Sequence, residues 1–376
     1  MLEVNHSQLE RLVKEYYEKK WALFCYGTYG IGKSDSIRRS SKEIAEDKGK
    51  EYLEWNELSY EKKDEIEGNP EDYFVLVDRR LAQDDPTDLK GIPQMNGDKA
   101  TEWKAPRWIY FMSLEGSDGM CYLDEMNLAP KNVQGASYQL IFDRQISDYS
   151  ISDNWGFISA GNLKSDRSFV KELSSALKDR YGECKLTVPH YKDWIEWGLE
   201  NKIDDRILAY IPFNPSHLHQ VNEEIKGKNS TPRGWERASD LIRGITTFTQ
   251  LELLVGSAVG EGIAKEFISF LKLRKDFDYE DILDNPKTGE LPSREEDLSL
   301  LYPFISGIVE RYRANKCEEM LGKTFTIANR LDPEFGILLM RLVRQVSPNY
   351  FNNKKTSTEC KSEWNNFKGE WKKYLI

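Results

Sequence analysis

The sequence predicts an α/β chain in which a parallel β-sheet is covered by helices on both faces and followed by a helical region. Three observations carry this. Short apolar runs recur as WALFCY (21–26), YFVLVDRRL (73–81), GMCYLDE (119–125) and WGFISA (155–160), each with the length and residue types of a buried strand. Helical stretches separate them, and strands alternating with helices imply parallel pairing. From about Tyr191 the strand signals fade and helical periodicity takes over.

The elements follow in order. An amphipathic helix is expected from Ser7, whose hydroxyl and Glu10 match a capping box, to Lys20, with Leu9, Leu12, Val13 and Tyr16 on one face. WALFCY is the first core strand. A glycine-rich turn follows it, then SDSIRRSSKEIAEDK as a helix. Asp84 to Arg107, with Pro86, Gly91, Pro93, Gly97 and Pro106, reads as a long irregular surface excursion. A helix is expected over Lys131 to Phe142, and RQISDYSISDNWGFISAGN (144–162) as a small hairpin feeding a core strand. Tyr149 and Trp155 of this hairpin read as packing residues rather than contacts for another protein. Pro232 is placed for the first turn of a helix in STPRGWERASDLIRGI (230–245), and GEGIAKEFISFLKLR (260–274) and GILLMRLVRQV (337–347) are helical. The low-pattern stretch 276–297 marks a boundary. The expected division is 1–190, 191–275 and 276–376.

Composition narrows the function classes. The 376 residues carry 53 Lys and Arg against 63 Asp and Glu, a net charge of -10, which argues against a broad nucleic-acid-binding face. No run is long enough to cross a bilayer, so no membrane insertion is expected. The start, MLEVNHSQLERLVKEYY, lacks the basic and apolar stretches of a secretory signal. Cys25, Cys121, Cys184, Cys317 and Cys360 lie far apart, which fits a reducing, cytoplasmic setting better than a disulfide scaffold. The four histidines, two of them in HLH (217–219), read as structural or surface residues.

GTYGIGKS, Gly27 to Ser34, fits G-x-x-x-x-G-K-[ST] completely. Glycines let such a turn curl until successive backbone N–H groups face an anion, and the helix behind it adds its positive end. Gly27, Thr28, Tyr29, Gly30, Ile31, Gly32, Lys33, Ser34 and the following Asp35 are the candidate nucleotide-binding residues. Lys33 is expected at the β and γ phosphates and the Ser34 hydroxyl on Mg²⁺. MCYLDE places Asp124 and Glu125 at the C-terminal end of a strand, where parallel sheets present ligands. Asp124 is expected to hold Mg²⁺ through water and Glu125 to polarise the attacking water. An acid in Glu125's place favours hydrolysis over transfer to a metabolite. Asn162, at the end of GFISAGN, reads as a water or γ-phosphate contact or else as a turn residue. Arg180 reads by spacing alone as a partner of Asp179 or Glu183.

Taken together, the order of motifs resembles an AAA+ ATPase of the MoxR-like branch, over roughly residues 5 to 275. Walker A is GTYGIGKS and Walker B is MCYLDEMNLAP. Sensor 1 resembles Asn162 in FISAGN, and sensor 2 resembles Arg233 in TPRGWER. ELSSALKDRYG (172–182) is similar to the family's stretch ending in an arginine finger, which maps to Arg180. Arg167 in SDRSF occupies a place where relatives carry another interface arginine. DPTDLKGIP (85–93) looks like the start of the clade's insertion in helix 2, and RQISDYSISDNW like its hairpin before sensor 1.

The resemblance implies a P-loop AAA+ parallel-sheet domain, a helical lid and an extra C-terminal helical region. It also implies ATP and Mg²⁺ as ligands and a homo-oligomeric ring, hexameric in the usual case. Such a ring remodels a protein complex, with a separate partner that carries a von Willebrand factor A-type domain. ATP rather than GTP rests on the resemblance alone. The alternatives from other classes are a nucleic-acid motor subunit, which DNA-stimulated hydrolysis would mark, and a nucleotide-bound scaffold without turnover.

Overall fold

The run ALFCY is apolar at successive positions, and in the computed structural model it forms an inner strand of a sheet buried on both sides. Residues 1–96, 100–163, 178–221, 228–274, 277–292 and 298–348 are described. The chain divides into two compact units, Met1–Pro189 and His190–Ile376.

In the first unit the strands are β1 (Leu2–Val4), β2 (Ala22–Tyr26), β3 (Glu51–Glu54), β4 (Tyr73–Arg80), β5 (Ile92–Asn96), β6 (Ala100–Lys104), β7 (Gly119–Asp124), β8 (Gln145–Ile146), β9 (Tyr149–Ser150), β10 (Trp155–Gly161) and β11 (Tyr181–Leu186). The helices are α1 (His6–Lys19), α2 (Lys33–Asp47), α3 (Tyr60–Gly68), α4 (Pro86–Lys90), α5 (Arg107–Ser113) and α6 (Lys131–Phe142). Seven strands make one sheet in the order β1-β11-β2-β10-β7-β4-β3. All of its pairings are parallel.

Alternation along each strand divides the core. Leu23 and Cys25 of β2 join Phe74, Leu76, Met120, Tyr122 and Ile158 under Leu9, Val13 and Ile37 of α1 and α2. Phe24 joins Val75, Val77, Cys121, Leu123 and Phe157 on the other face, under Phe111 of α5 and Val133 and Leu140 of α6. Each such side chain contributes about 1.5–3 kcal/mol by leaving water, which is why the central strands read as unbroken apolar runs. The order, the parallel pairing and the glycine-rich turn after β2 match a P-loop, AAA+-like α/β topology.

Three expectations change in detail. The cap of α1 is Asn5, not Ser7: Asn5 and Gln8 form the capping box, and Tyr17 is buried on the same face as Leu9 and Val13. The excursion from Asp84 is ordered as α4, with its own capping box at Asp85 and Asp88, and as an antiparallel hairpin of β5 and β6. Strands β1, β3 and β11 were not expected, because LEV and EYLE are short edge strands and YGECKL alternates polar with apolar residues. The second hairpin is present as β8 and β9. Trp155 packs fully buried, its indole N–H donating to Ser117 Oγ at 3.0 Å.

The second unit is helical among its described residues. Its helices are α7 (Tyr191–Glu200), α8 (Asp205–Phe213), α9 (Pro232–Ile242), α10 (Phe248–Val259), α11 (Glu261–Leu273), α12 (Tyr279–Asp284), α13 (Leu298–Ala314), α14 (Glu318–Arg330) and α15 (Pro333–Val346). One apolar cluster runs through them from Trp194 to Val343. His217 is a core residue, its Nδ1 2.6 Å from the Tyr210 hydroxyl and its carbonyl accepting from Trp235 Nε1 at 2.7 Å.

Candidate functional site

Gly27 to Gly32 leave the carboxyl end of β2 and turn into α2. Gly30 and Gly32 sit at φ +72° and +93°, in the left-handed region that glycine enters without steric cost. Gly27 N–H donates to Gly161 O at 3.2 Å, which fastens the start of the loop to the end of β10. Ile31 is buried, and Tyr29 and Asp35 face outward. Lys33 is only 9% exposed and lies across the loop, donating to the carbonyls of Gly27 at 2.6 Å and Thr28 at 2.8 Å. Those two bonds aim the ammonium at the turn that the sequence assigns to phosphate.

His6, on the first turn of α1, holds the loop from outside. Its Nε2 lies 2.7 Å from Ile31 O, so the ring nitrogen donates to that carbonyl. C=O and N–H point in opposite directions in a trans peptide, so this bond turns the Gly32 N–H away from α1. A side chain at Gly32 would also bring its Cβ within 3.1 Å of the imidazole.

Asp124 ends β7 and Glu125 follows it, two strands from the loop. The Asp124 carboxylate accepts the Glu125 N–H at 2.8 Å. Glu125 itself has φ +55°, a conformation that costs a residue with a side chain roughly 1–2 kcal/mol. Asn127 then bridges back to β10. Its Nδ2 donates to Asn162 O at 2.8 Å, and its Oδ1 accepts from Asn162 N at 3.2 Å. The loop, Asp124, Glu125 and Asn162 therefore meet at the carboxyl ends of the neighbouring strands β2, β10 and β7, where parallel sheets bind ligands.

Two further features border this edge. Tyr122, one residue pair before Asp124 on the same face of β7, places its hydroxyl 3.1 Å from Ser34 Oγ. Asp78, in register with Tyr122 on β4, accepts from Arg38 of α2 at 2.6 Å. Burial pushes the Asp78 carboxyl above its ordinary pKa, with Arg38 opposing the shift and the charge of Asp124 adding to it. Reading the sequence did not single out His6, Arg38, Asp78, Tyr122 or Asn127. Asn127 at least stands inside the motif DEMNLAP, three residues past Asp124.

The remaining candidates lie elsewhere. Arg180 immediately precedes β11, whose Tyr181 is in register with Ala22, so the run from Trp21 to Gly27, about 20 Å, separates it from the loop. Its guanidinium stacks 4.7 Å from the ring centre of Tyr138 and 5.7 Å from that of Phe142. It borders a cavity of about 420 Å³ shared with Tyr16, Lys19, Trp21 and Asp179. Arg233 is an exposed residue in the first turn of α9, whose cap is Thr231 accepting from Gly234 N at 3.1 Å. Arg167 lies outside the described residues.

Among the described residues no three His, Cys, Asp or Glu side chains are grouped to hold a metal, and no helix is long and apolar enough to cross a membrane. Mg²⁺ needs no such group, since one or two protein oxygens suffice beside phosphate and water. The Ser34 hydroxyl and the Asp124 carboxylate are donors of that kind.

No protein-family model matches the chain, and no curated protein does. Solved structures similar to it include NtrX from Brucella abortus, 14% identical over 91% of this chain and 68% of that one, at a TM-score of 0.34. The Thermotoga maritima RuvB Holliday junction branch migration motor is 14% identical over 76% of this chain and 77% of that one, at 0.28. The replication initiator DnaA bound to AMPPCP and single-stranded DNA is 11% identical over 99% of this chain and 91% of that one, at 0.34. Likenesses this distant carry no argument about function. The fold assignment rests on strand order and on the position of the loop.

Proposed function

We propose that the chain is a Mg²⁺-dependent nucleoside triphosphate hydrolase of AAA+ type, with ATP as its substrate. The observation that carries this is the meeting of the 27–34 loop with Asp124 and Glu125 on one sheet edge, linked by the 3.1 Å contact between Ser34 and Tyr122. In this reading the loop N–H groups and the end of α2 hold the phosphates, and Lys33 exchanges its carbonyl partners for β and γ oxygens. Ser34 and Asp124 would hold Mg²⁺, which would supply positive charge to offset that of the phosphates. Glu125 orients the attacking water and accepts its proton, and Asn162 contacts that water or the γ phosphate.

Arg180 cannot serve its own loop from the opposite end of the sheet. We assign it to the nucleotide of a neighbouring copy, which makes hydrolysis depend on assembly into a ring. A guanidinium supplied in this way is worth about 10³-fold or more in turnover. The resemblance gives Arg233 the role of a γ-phosphate contact and Arg167 that of a further interface arginine. The work done is the remodelling of a protein complex in the manner of the MoxR-like branch, and the separate von Willebrand factor A-type partner belongs to this proposal.

The test is binding of a fluorescent ATP analogue together with phosphate release. Wild type binds and hydrolyses, Lys33→Ala loses binding, and Glu125→Gln binds without turnover. Binding that is indifferent to Lys33 would remove the loop from the account.

A further inference from the structure

The Tyr122 ring is 1% exposed, clamped in the core between β7 and α2 with Ile37, Leu76 and Ile158 around it. Its hydroxyl emerges at one polar atom, Ser34 Oγ at 3.1 Å. Apolar residues would fill this position as well, so the hydroxyl calls for an explanation. A serine that ligates a divalent cation does so through an oxygen lone pair, and its proton must then point away from the metal. With no acceptor, that O–H, on a half-buried side chain, is left unsatisfied. A phenol oxygen can accept it, and a phenol can also donate to the serine when no cation is bound.

We propose, on the reading that the 27–34 loop binds a Mg²⁺-nucleotide, that Tyr122 is a positioning residue whose hydroxyl, against Ser34 Oγ, orients that serine as a metal ligand and so sets the cation dependence of nucleotide binding. As a phenol it offers one donor and one acceptor to the serine and adds no carboxylate beside Asp124. Because the ring is fixed by packing, the hydroxyl costs little entropy to place. Outer partners of metal ligands typically govern metal affinity by about 10- to 100-fold.

The experiment measures binding of N-methylanthraniloyl-ADP across a Mg²⁺ titration, with an EDTA arm, so that no turnover is needed. For Tyr122→Phe the Mg²⁺ concentration that half-saturates the tightening of ADP rises about 10-fold, while affinity in EDTA stays at the wild-type value. In a Ser34→Ala background the same substitution adds no further shift, which a purely structural role would not produce. An unchanged Mg²⁺ midpoint overturns the proposal. So does an equal loss of affinity with and without Mg²⁺, or a shift that persists in the Ser34→Ala background. A different result marks failure of the underlying reading: wild type that binds no ADP, or Lys33→Ala that binds it as wild type does.

Discussion

Asn127 ties the loop carrying Glu125 to the end of β10, and its removal has a calculable cost. The side chain is 1% exposed and its amide makes both bonds to the backbone of Asn162, at 2.8 and 3.2 Å. Asn127→Ala leaves an N–H and a C=O without partners. A buried group costs about 1–3 kcal/mol when orphaned, and Asn162 is half-buried, so about 2–3 kcal/mol in all is expected. For a unit of this size that lowers Tm by about 4–12 °C. Asn127→Asp destabilises at least as much, because a carboxylate oxygen then faces the Asn162 carbonyl. Gly161→Ala approaches the same clamp from the other side, its Cβ placed 2.5 Å from Asn127 Oδ1. That substitution is therefore costly alone and cheaper in the Asn127→Ala background. Calorimetry of the full-length single and double variants decides this. A melting temperature for Asn127→Ala within 1 °C of wild type would refute the reasoning.

Glu125 gives a prediction of the opposite sign. Its φ of +55° costs a side-chain-bearing residue roughly 1–2 kcal/mol, and glycine returns about half of that gain as chain entropy. Glu125→Gly therefore raises Tm by about 1–4 °C while ending turnover, which thermal melts beside a phosphate-release assay will show. His217 predicts a pH dependence. Burial lowers its pKa, against the pull of Glu266, while Tyr210 and Asn214 face its two ring nitrogens. The unfolded chain then binds the extra proton first, so stability is full above the ordinary histidine pKa and falls as the pH drops through and below about 6.5. Melts at pH 7.5 and 5.5 should show a smaller acid loss for His217→Gln than for wild type.

How much was legible follows from where the information sits. Strands β2, β4, β7 and β10 stand out because burial on both faces demands continuous apolar runs, and GTYGIGKS because its chemistry is local in sequence. The edge strands β1 and β3 carry little apolar signal, since one side of each meets water or an end of the sheet. The cap at Asn5 is hidden in the sequence because Ser7 and Glu10 satisfy the same pattern two residues on. His6, Tyr122 and Asn127 work through partners 25, 88 and 35 residues away, and no local spacing encodes such pairs. The excursion from Asp84 looked irregular because proline and glycine dominate it. Here Pro86 starts α4 and Gly91 ends it, its φ of +82° leading into the hairpin.

The measurement that bears most directly on the central claim is a mixing experiment between two inactive variants. Lys33→Ala keeps Arg180 but loses its own loop, and Arg180→Ala keeps the loop but gives its neighbour no guanidinium. If Arg180 acts on the adjacent copy, an equimolar mixture restores hydrolysis at about a quarter of the junctions, with activity rising more steeply than protein concentration. A mixture that stays inactive although both variants assemble, or an Arg180→Ala protein that turns over like wild type as a monomer, would contradict the account.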